Sequence, residues 1–317
     1  MFLRKRVSSI AEIFAFLAAI VVLAGFLGRL HFLLDLASHF RIQATVAVIA
    51  STAILISMRR RAAIVTGVVG AMLLMSLLPF WLPANSDRPK EYRLLALNVL
   101  TSNTQHEKVL RLLNEADPDF IVLQETDRQW ITALGDQLQA KWPYNQVVPR
   151  QDNFGIAIWS KVNWEACDVV SFTDGIQVAT PSIDTEFRTA DGKTFRLVAT
   201  HLLPPMSDEA WQVRNGSLRS LADAVREGDH STTIVTGDFN CTPWSPWFQG
   251  FARESGLRNS AYGHGLAVTW RPFVFALAGL PIDHALVGDR IGIVKRTVSS
   301  NVGSDHRAII VDFAVLD

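Results

Sequence analysis

The chain has 317 residues, enough for one large domain or for one domain plus an appendage. Its 30 Lys/Arg and 30 Asp/Glu cancel overall, but residues 1–90 hold 10 basic against 3 acidic groups, leaving a net charge of −7 on residues 91–317. That acidity argues against a broad non-specific nucleic-acid surface. The two cysteines, Cys167 and Cys241, define neither a disulfide framework nor a zinc cluster, though they permit one bridge.

Three apolar stretches dominate the first part, at about 10–30, 42–58 and 62–82. Each is long enough to cross a hydrocarbon layer of roughly 30 Å as a helix. Buried soluble helices are one alternative, but three in succession with almost no charge argue against them. A cleaved signal peptide is another. The first run exceeds the usual h-region, however, and two more spans follow it. Arg4-Lys5-Arg6 and Arg59-Arg60-Arg61 flank the spans so that both clusters lie in the cytoplasm when three helices cross. The C-terminal part then emerges on the far side, which in a Gram-negative bacterium is the periplasmic face of the inner membrane. Residues 1–83 thus read as a multi-pass anchor, 84–91 as a polar linker and 92–317 as a folded domain.

Tyr92 to Val99 is an apolar run of strand length, ending around Asn98. Thr104-Gln-His-Glu107 fits a capping box opening a helix, which Asp117-Pro118 stops. The next strand, Asp119 to Gln124, ends at Glu125, and a helix over Asp127 to Lys141 follows. Strands are expected at Phe154–Ser160, Trp164–Ser171, Val178–Arg188 and Thr194–Leu202, the last two pairing around Asp191-Gly192. A helix over Ser207 to Glu227 precedes the buried strand Ser231-Thr-Thr-Ile-Val235. The segments Cys241–Pro246 and Ala261–Gly279 read as loops, and Leu280–Val287 and Ala308–Val315 as the last strands. Many strands, several of them consecutive, with few helices, fit two stacked sheets flanked by helices.

The chemistry gathers at strand ends: Asn98, Glu125, His201, Asp238 with Asn240, Asp283, and Asp305 with His306. In Gly237-Asp238-Phe239-Asn240, alternation points Asp238 and Asn240 the same way, a pair suited to holding a water beside a phosphate oxygen. An Asx-turn closing the strand is the alternative. Carboxylates and amides on one rim make an oxygen-rich site for a hard cation, Mg²⁺ or Mn²⁺. His284 faces away from Asp283 and reads as packing. Arg150, Asp152 and Asn153, before a strand, are candidates to reach a substrate or simply a solvated loop. Trp270 is a further candidate, with a core role equally open.

The ordered set Leu97-Asn98-Val99, Leu123-Gln124-Glu125-Thr126, Thr200-His201-Leu202, Gly237-Asp238-Phe239-Asn240, Ile282-Asp283-His284 and Ser304-Asp305-His306 resembles the endonuclease/exonuclease/phosphatase superfamily. That group includes DNase I-like nucleases, inositol polyphosphate 5-phosphatases and neutral sphingomyelinases. The resemblance covers the chain from about Arg93 onward. It implies a four-layered α/β/β/α sandwich and a metal-dependent phosphoric ester hydrolase. It implies Glu125, Asn98 and Asp305 as metal-side residues. Asp238 would orient or deprotonate the attacking water, Asn240 would position it, His306 and His201 would contact phosphate, and Asp283 would orient His306. Thr269-Trp270 is similar to a recurrent segment of the family's late loop. The substrate classes left open are a lipid headgroup, a small phosphoester or nucleic acid. A non-catalytic, membrane-tethered binding module that keeps the fold is the reading from a different class.

Overall fold

In the computed structural model, residues 2–83, 89–173, 180–272 and 279–317 are described, with side chains from Lys5 onward. The chain opens with helices α1 (Phe2–Phe26), α2 (Phe32–Ser38), α3 (Arg41–Ser57) and α4 (Ala62–Leu77), and a 3₁₀ turn, Leu78–Phe80, extends α4. Ala18, Val22, Ala44, Val48 and Leu73 form the seam between α1, α3 and α4. Ile13, Phe16, Leu23, Ile64, Val65 and Met72 point outward and are exposed, a surface that water does not favour. α1 and the extended α4 are long and apolar enough to cross a membrane; α2 and α3, bent by 59° at their junction, make a third span only if taken together. The first apolar stretch therefore ends at Phe26 rather than Leu30. A turn containing Gly28 and Arg29 separates it from α2, a helix not anticipated from sequence.

The remaining elements are β1 (Tyr92–Asn98), α5 (His106–Ala116), β2 (Phe120–Gln124), α6 (Arg128–Lys141), β3 (Tyr144–Val148), β4 (Ile156–Ser160), β5 (Trp164–Val170), β6 (Ser182–Arg188), β7 (Thr194–His201), α7 (Asp208–Glu227), β8 (Thr233–Asp238), α8 (Pro246–Ser255), β9 (Arg258–Asn259), β10 (Asp283–Val287), β11 (Ile291–Val298) and β12 (Ile309–Val315). They form two six-stranded sheets, β11-β12-β1-β2-β4-β3 and β5-β6-β7-β8-β10-β9. β1 runs parallel to β2, and β7 parallel to β8. The other named pairs are antiparallel.

Three apolar layers follow from the strand period of two. Leu94, Ala96, Phe120 and Val122 from one sheet meet Phe187, Phe195, Ile234 and Ala285 from the other in the central layer. The alternate rows, Leu95, Leu97, Ile121 and Leu123, pack under Val109 and Leu113 of α5 and Trp130 and Leu134 of α6. On the opposite side Val198, Val235 and Leu286 pack under Leu218 and Leu221 of α7 and Phe248 and Phe251 of α8. This is the expected α/β/β/α sandwich.

One local expectation needs correction. The capping box at Thr104 is not made: α5 starts after Gln105, which has no side-chain cap, while Asn103 Oδ1 accepts from the Gln105 amide at 3.0 Å. β3, α8 and β11 were not anticipated. β11 carries a register shift between Ile293 and Lys295, which breaks the alternation that marks a strand. Of the expected linker 84–91, residues 84–88 lie outside the described residues, as do residues 178 and 179 of the strand expected from Val178.

The helical part is docked on the sandwich. The Phe80 ring lies 5.9 Å from that of Trp244 and 5.1 Å from that of Tyr262. The Gly263 and Gly265 amides donate to the Pro79 and Phe80 carbonyls at 2.9 and 2.7 Å.

Candidate active site

The central layer changes character at one end of both sheets. Asn98 continues the row of Leu94 and Ala96, His201 that of Leu197 and Ala199, and Asp238 that of Ile234; Asp283 begins the row of Ala285 and Val287. Register then makes neighbours of them, with His201 opposite Asp238 and Asp238 opposite Asp283 on adjacent strands. All four are buried, as is His306, just before β12.

The polar contacts close across the two sheets. The Asn98 side-chain amide donates to Glu125 Oε1 at 2.8 Å and to Asp238 Oδ2 at 3.2 Å. His306 Nδ1 lies 2.9 Å from Asp283 Oδ2, and its Nε2 lies 3.6 Å from Asp238 Oδ2. His201 Nε2 approaches the same Asp238 oxygen at 3.6 Å. The other oxygen, Asp238 Oδ1, accepts from the Asn240 amide at 2.9 Å. That bond is an Asx-turn, so both readings of the segment hold at once: one oxygen shapes the turn and the other joins the cluster.

Backbone conformation fits these roles. Gly237 has φ +142°, and a Cβ there would lie 1.9 Å from the Thr200 carbonyl oxygen, so only glycine lets β8 approach β7 at this point. Glu125 and Asn240 both adopt left-handed φ, +61° and +48°, which is uncommon away from glycine and is tolerated best by Asn and Asp. The Glu125 turn is held by Thr101, whose amide donates to Oε2 and whose hydroxyl donates to the Glu125 carbonyl, each at 3.1 Å. The Asn240 side-chain amide is committed to the Leu202 carbonyl at 2.8 Å.

Electrostatics separate the titrating groups. Burial pushes the Asp238 carboxyl up to about 7, with the charge of His306 offsetting part of the rise. Burial works against the His306 cation, but Asp283 and Asp238 outweigh it and lift His306 to about 10. Asp283 pays the same burial penalty, yet His306 and the Thr269 hydroxyl hold it below the usual carboxylate range. Burial and the His306 charge pull His201 down to about 3. At neutral pH the cluster thus pairs a cationic His306 with a neutral His201.

A profile of the Endonuclease/Exonuclease/phosphatase family matches residues 95–306, which span this entire cluster. The chain belongs to that family. No curated protein matches it. Among solved structures it is similar to an endonuclease/exonuclease/phosphatase from Beutenbergia cavernae DSM 12333, with a TM-score of 0.58 and 16% identity, covering 72% of each chain. It is similar to the human Nocturnin catalytic domain with bound sulfate, with a TM-score of 0.59 and 17% identity, over 71% of this chain and 94% of that one. It is also similar to D. rerio TDP2 complexed with single strand DNA product, with a TM-score of 0.57 and 14% identity, over 71% of this chain and 99% of that one. At these identities the likeness concerns the fold.

Within the family segment, Asn98, Glu125, His201, Asp238, Asn240, Asp283 and His306 come together as one site. Asp305 stands beside it: Oδ2 accepts from the Trp270 indole at 2.9 Å, and Oδ1 is buried with no protein partner. Trp270 is therefore engaged with Asp305, and its backbone bridges to His306. Arg150 is paired with Asp152, and Asn153 is exposed; neither contacts the cluster through a described hydrogen bond. Their loop borders the site through Phe154, whose ring lies 5.1 Å from that of His201. His284 packs away from the site against Phe239 and Phe248 and contacts the Cys241 carbonyl at 2.9 Å.

The donor set suits a hard cation. Asp238, Asp283 and His306 offer ligand atoms all within 4.8 Å of one another. A His306 held as a cation has no lone pair to give, so the carboxylates are the better donors. The orphaned Asp305 Oδ1 is an acceptor of the right kind. Sequence reasoning assigned no role to Thr101, Ser304 or Thr269. Ser304 Oγ donates to the Asn98 carbonyl at 2.8 Å and accepts from the His306 amide at 3.0 Å. Thr269 Oγ1 accepts from the Asp283 amide at 3.1 Å. No periodicity marks such residues; their partners become neighbours only on folding. Gln124 was visible within its motif, and it is buried beside Gly237 with both amide atoms unpartnered.

Proposed function

We propose that this protein is a membrane-anchored phosphoesterase that hydrolyses phosphodiester or phosphomonoester bonds by metal-assisted attack of water. Residues 1–83 are the anchor, 84–91 the linker and 92–317 the catalytic domain, which faces the extracytoplasmic side of a bacterial inner membrane. The observation that carries the reading is the buried His201–Asp238–His306–Asp283 cluster joined to Glu125 through Asn98. Family membership supports the reaction class.

Glu125, Asn98 and Asp305 would hold Mg²⁺ or Mn²⁺. When bound, the ion would neutralise phosphoryl charge and make water more acidic. Asp238 Oδ2 is the base that takes the proton of the attacking water. Asn240, its amide nitrogen committed to Leu202, offers Oδ1 as an acceptor that orients that water. His306, kept cationic and fixed through Nδ1 by Asp283, presents Nε2–H to a phosphoryl oxygen. His201, neutral, makes a second hydrogen bond to phosphate. Electrostatic stabilisation and in-line positioning are what phosphoryl chemistry chiefly asks of a protein.

Membrane proximity favours a phosphoester carried at the membrane surface. Gly265, bonded to Phe80 at the end of α4, is four residues from Thr269, which holds Asp283. Four extended residues reach at most about 14 Å. Nucleic acid is the second reading, favoured by the likeness to a fold that carries single strand DNA product in D. rerio TDP2; the −7 charge of residues 91–317 weighs against it.

The test is hydrolysis by full-length protein in lipid nanodiscs. Phospholipid vesicles, bis(p-nitrophenyl) phosphate, single-stranded DNA and RNA are each supplied with Mg²⁺ or Mn²⁺. Release of product that chelation abolishes and metal restores is expected, as is loss of at least about 10³-fold in Asp238→Ala. A folded protein that cleaves none of these substrates would be a binding module rather than an enzyme.

A further inference from the structure

The short helix α2 lies outside the family match at 95–306, on the membrane-proximal part of the chain. Its Asp35 is nevertheless 0% exposed, and so is Arg214 of α7, whose guanidinium it pairs with. Asp35 Oδ2 also accepts from the Trp211 indole at 3.1 Å, and Oδ1 from the Ser245 hydroxyl at 2.7 Å. Gly28 makes room for this approach, since a Cβ there would lie 2.8 Å from the Asp35 Cα. From the other side, Arg214 donates to the Asn240 carbonyl at 3.4 Å and to Asn215 Oδ1 at 2.7 Å. His39, just after α2, completes the contact, with Nδ1 3.1 Å from the Thr242 hydroxyl.

The segment 240–245 is thus held at Asn240, Thr242 and Ser245 by groups of, or tied to, the helical part. It begins two residues after Asp238, and its first residue combines a left-handed φ with the amide bond to Asp238 Oδ1. A buried ion pair adds little stability over an apolar pair of similar volume, because desolvation offsets the attraction. What it supplies, and an apolar pair lacks, is direction: the guanidinium fork fixes two partners at once.

We propose that Asp35 is a positioning residue for the active site: through Arg214 it fixes the Asn240 carbonyl, and with it the turn that orients Asp238. The helical part is then a component of the catalytic machinery as well as a tether. The kinetic arm of the test rests on the phosphoesterase reading; the exchange arm does not.

Full-length Asp35→Asn is compared with the parent in nanodiscs. It should lower kcat about tenfold with KM within about twofold. An unchanged kcat, or a loss confined to KM, would overturn the proposal. Hydrogen exchange supplies the second arm. Peptides covering residues 239–245 should exchange faster in Asp35→Asn, with β1 and α6 unchanged. Unchanged exchange in 239–245 would overturn the proposal whatever the activity. If the parent hydrolyses nothing, the phosphoesterase reading fails and exchange alone decides this one. Arg214→Lys keeps a charge for Asp35 but removes the arm to Asn240, so it should give the same two signatures if Asp35→Asn fails to accumulate.

Discussion

Burial pushes the Asp238 carboxyl up to about 7, while His306 at 3.6 Å is lifted to about 10 by Asp283 and Asp238 against its own burial. The proposed reaction uses Asp238 ionised and His306 protonated. Activity should therefore rise as pH passes about 7, hold, and fall as pH approaches 10, with both limbs belonging to the cluster rather than to single residues. Asp283→Asn removes the foremost group raising His306, so the alkaline limb should move to lower pH while the enzyme stays folded. A pH profile of kcat/KM at saturating metal checks this, and an alkaline limb that does not move would separate His306 from that limb. Asn98, His201 and Asp238 could be read from the sequence because each ends a period-two apolar row in a polar side chain, and Asp283 because it begins one. The sequence could not reveal which Asp238 oxygen serves the turn, or that Trp270 is spoken for by Asp305. Those depend on distances between segments far apart in the chain.

β8 meets β7 at a point where a side chain has no room. Gly237 has φ +142°, and a Cβ would lie 1.9 Å from the Thr200 carbonyl oxygen. Gly237→Ala should cost at least about 2–4 kcal/mol, from backbone strain and from pushing two paired strands apart. A denaturation midpoint close to that of the parent would show that the strands can part without cost. The same level of organisation explains what the sequence hid. β1, β2, β7, β8 and β12 are largely buried on both faces and each carries a short apolar stretch. β11 mixes Lys295 and Arg296 with apolar residues around a register shift and has no clean period. α8 carried a usable signal, Ser245 capping a helix with Pro246 in its first turn, because a proline at that position loses no hydrogen bond. α2, seven residues long, is too short for periodicity to announce it.

Over the whole molecule, the ends of the helices divide into two groups. Arg60 pairs with Glu12 at 3.2 Å, joining the basic turn between α3 and α4 to the N-terminal part of α1. At the other group, Phe80, Asp35 and His39 contact the sandwich. This separation supports the proposed topology, in which both basic clusters remain in the cytoplasm and the catalytic domain lies across the membrane. In that topology the rim that carries Asp238 would lie close to the membrane surface. The central claim is that water, activated at Asp238 and assisted by a divalent ion, attacks phosphorus at this site. The most direct measurement is hydrolysis by the full-length protein with Mn²⁺ or Mg²⁺ in water enriched in oxygen-18, with the products read by mass spectrometry. The account predicts the label in the phosphoryl product, none in the leaving alcohol, and turnover at least about 10³-fold slower by Asp238→Ala. Label in the alcohol, or turnover by Asp238→Ala close to that of the parent, would contradict it.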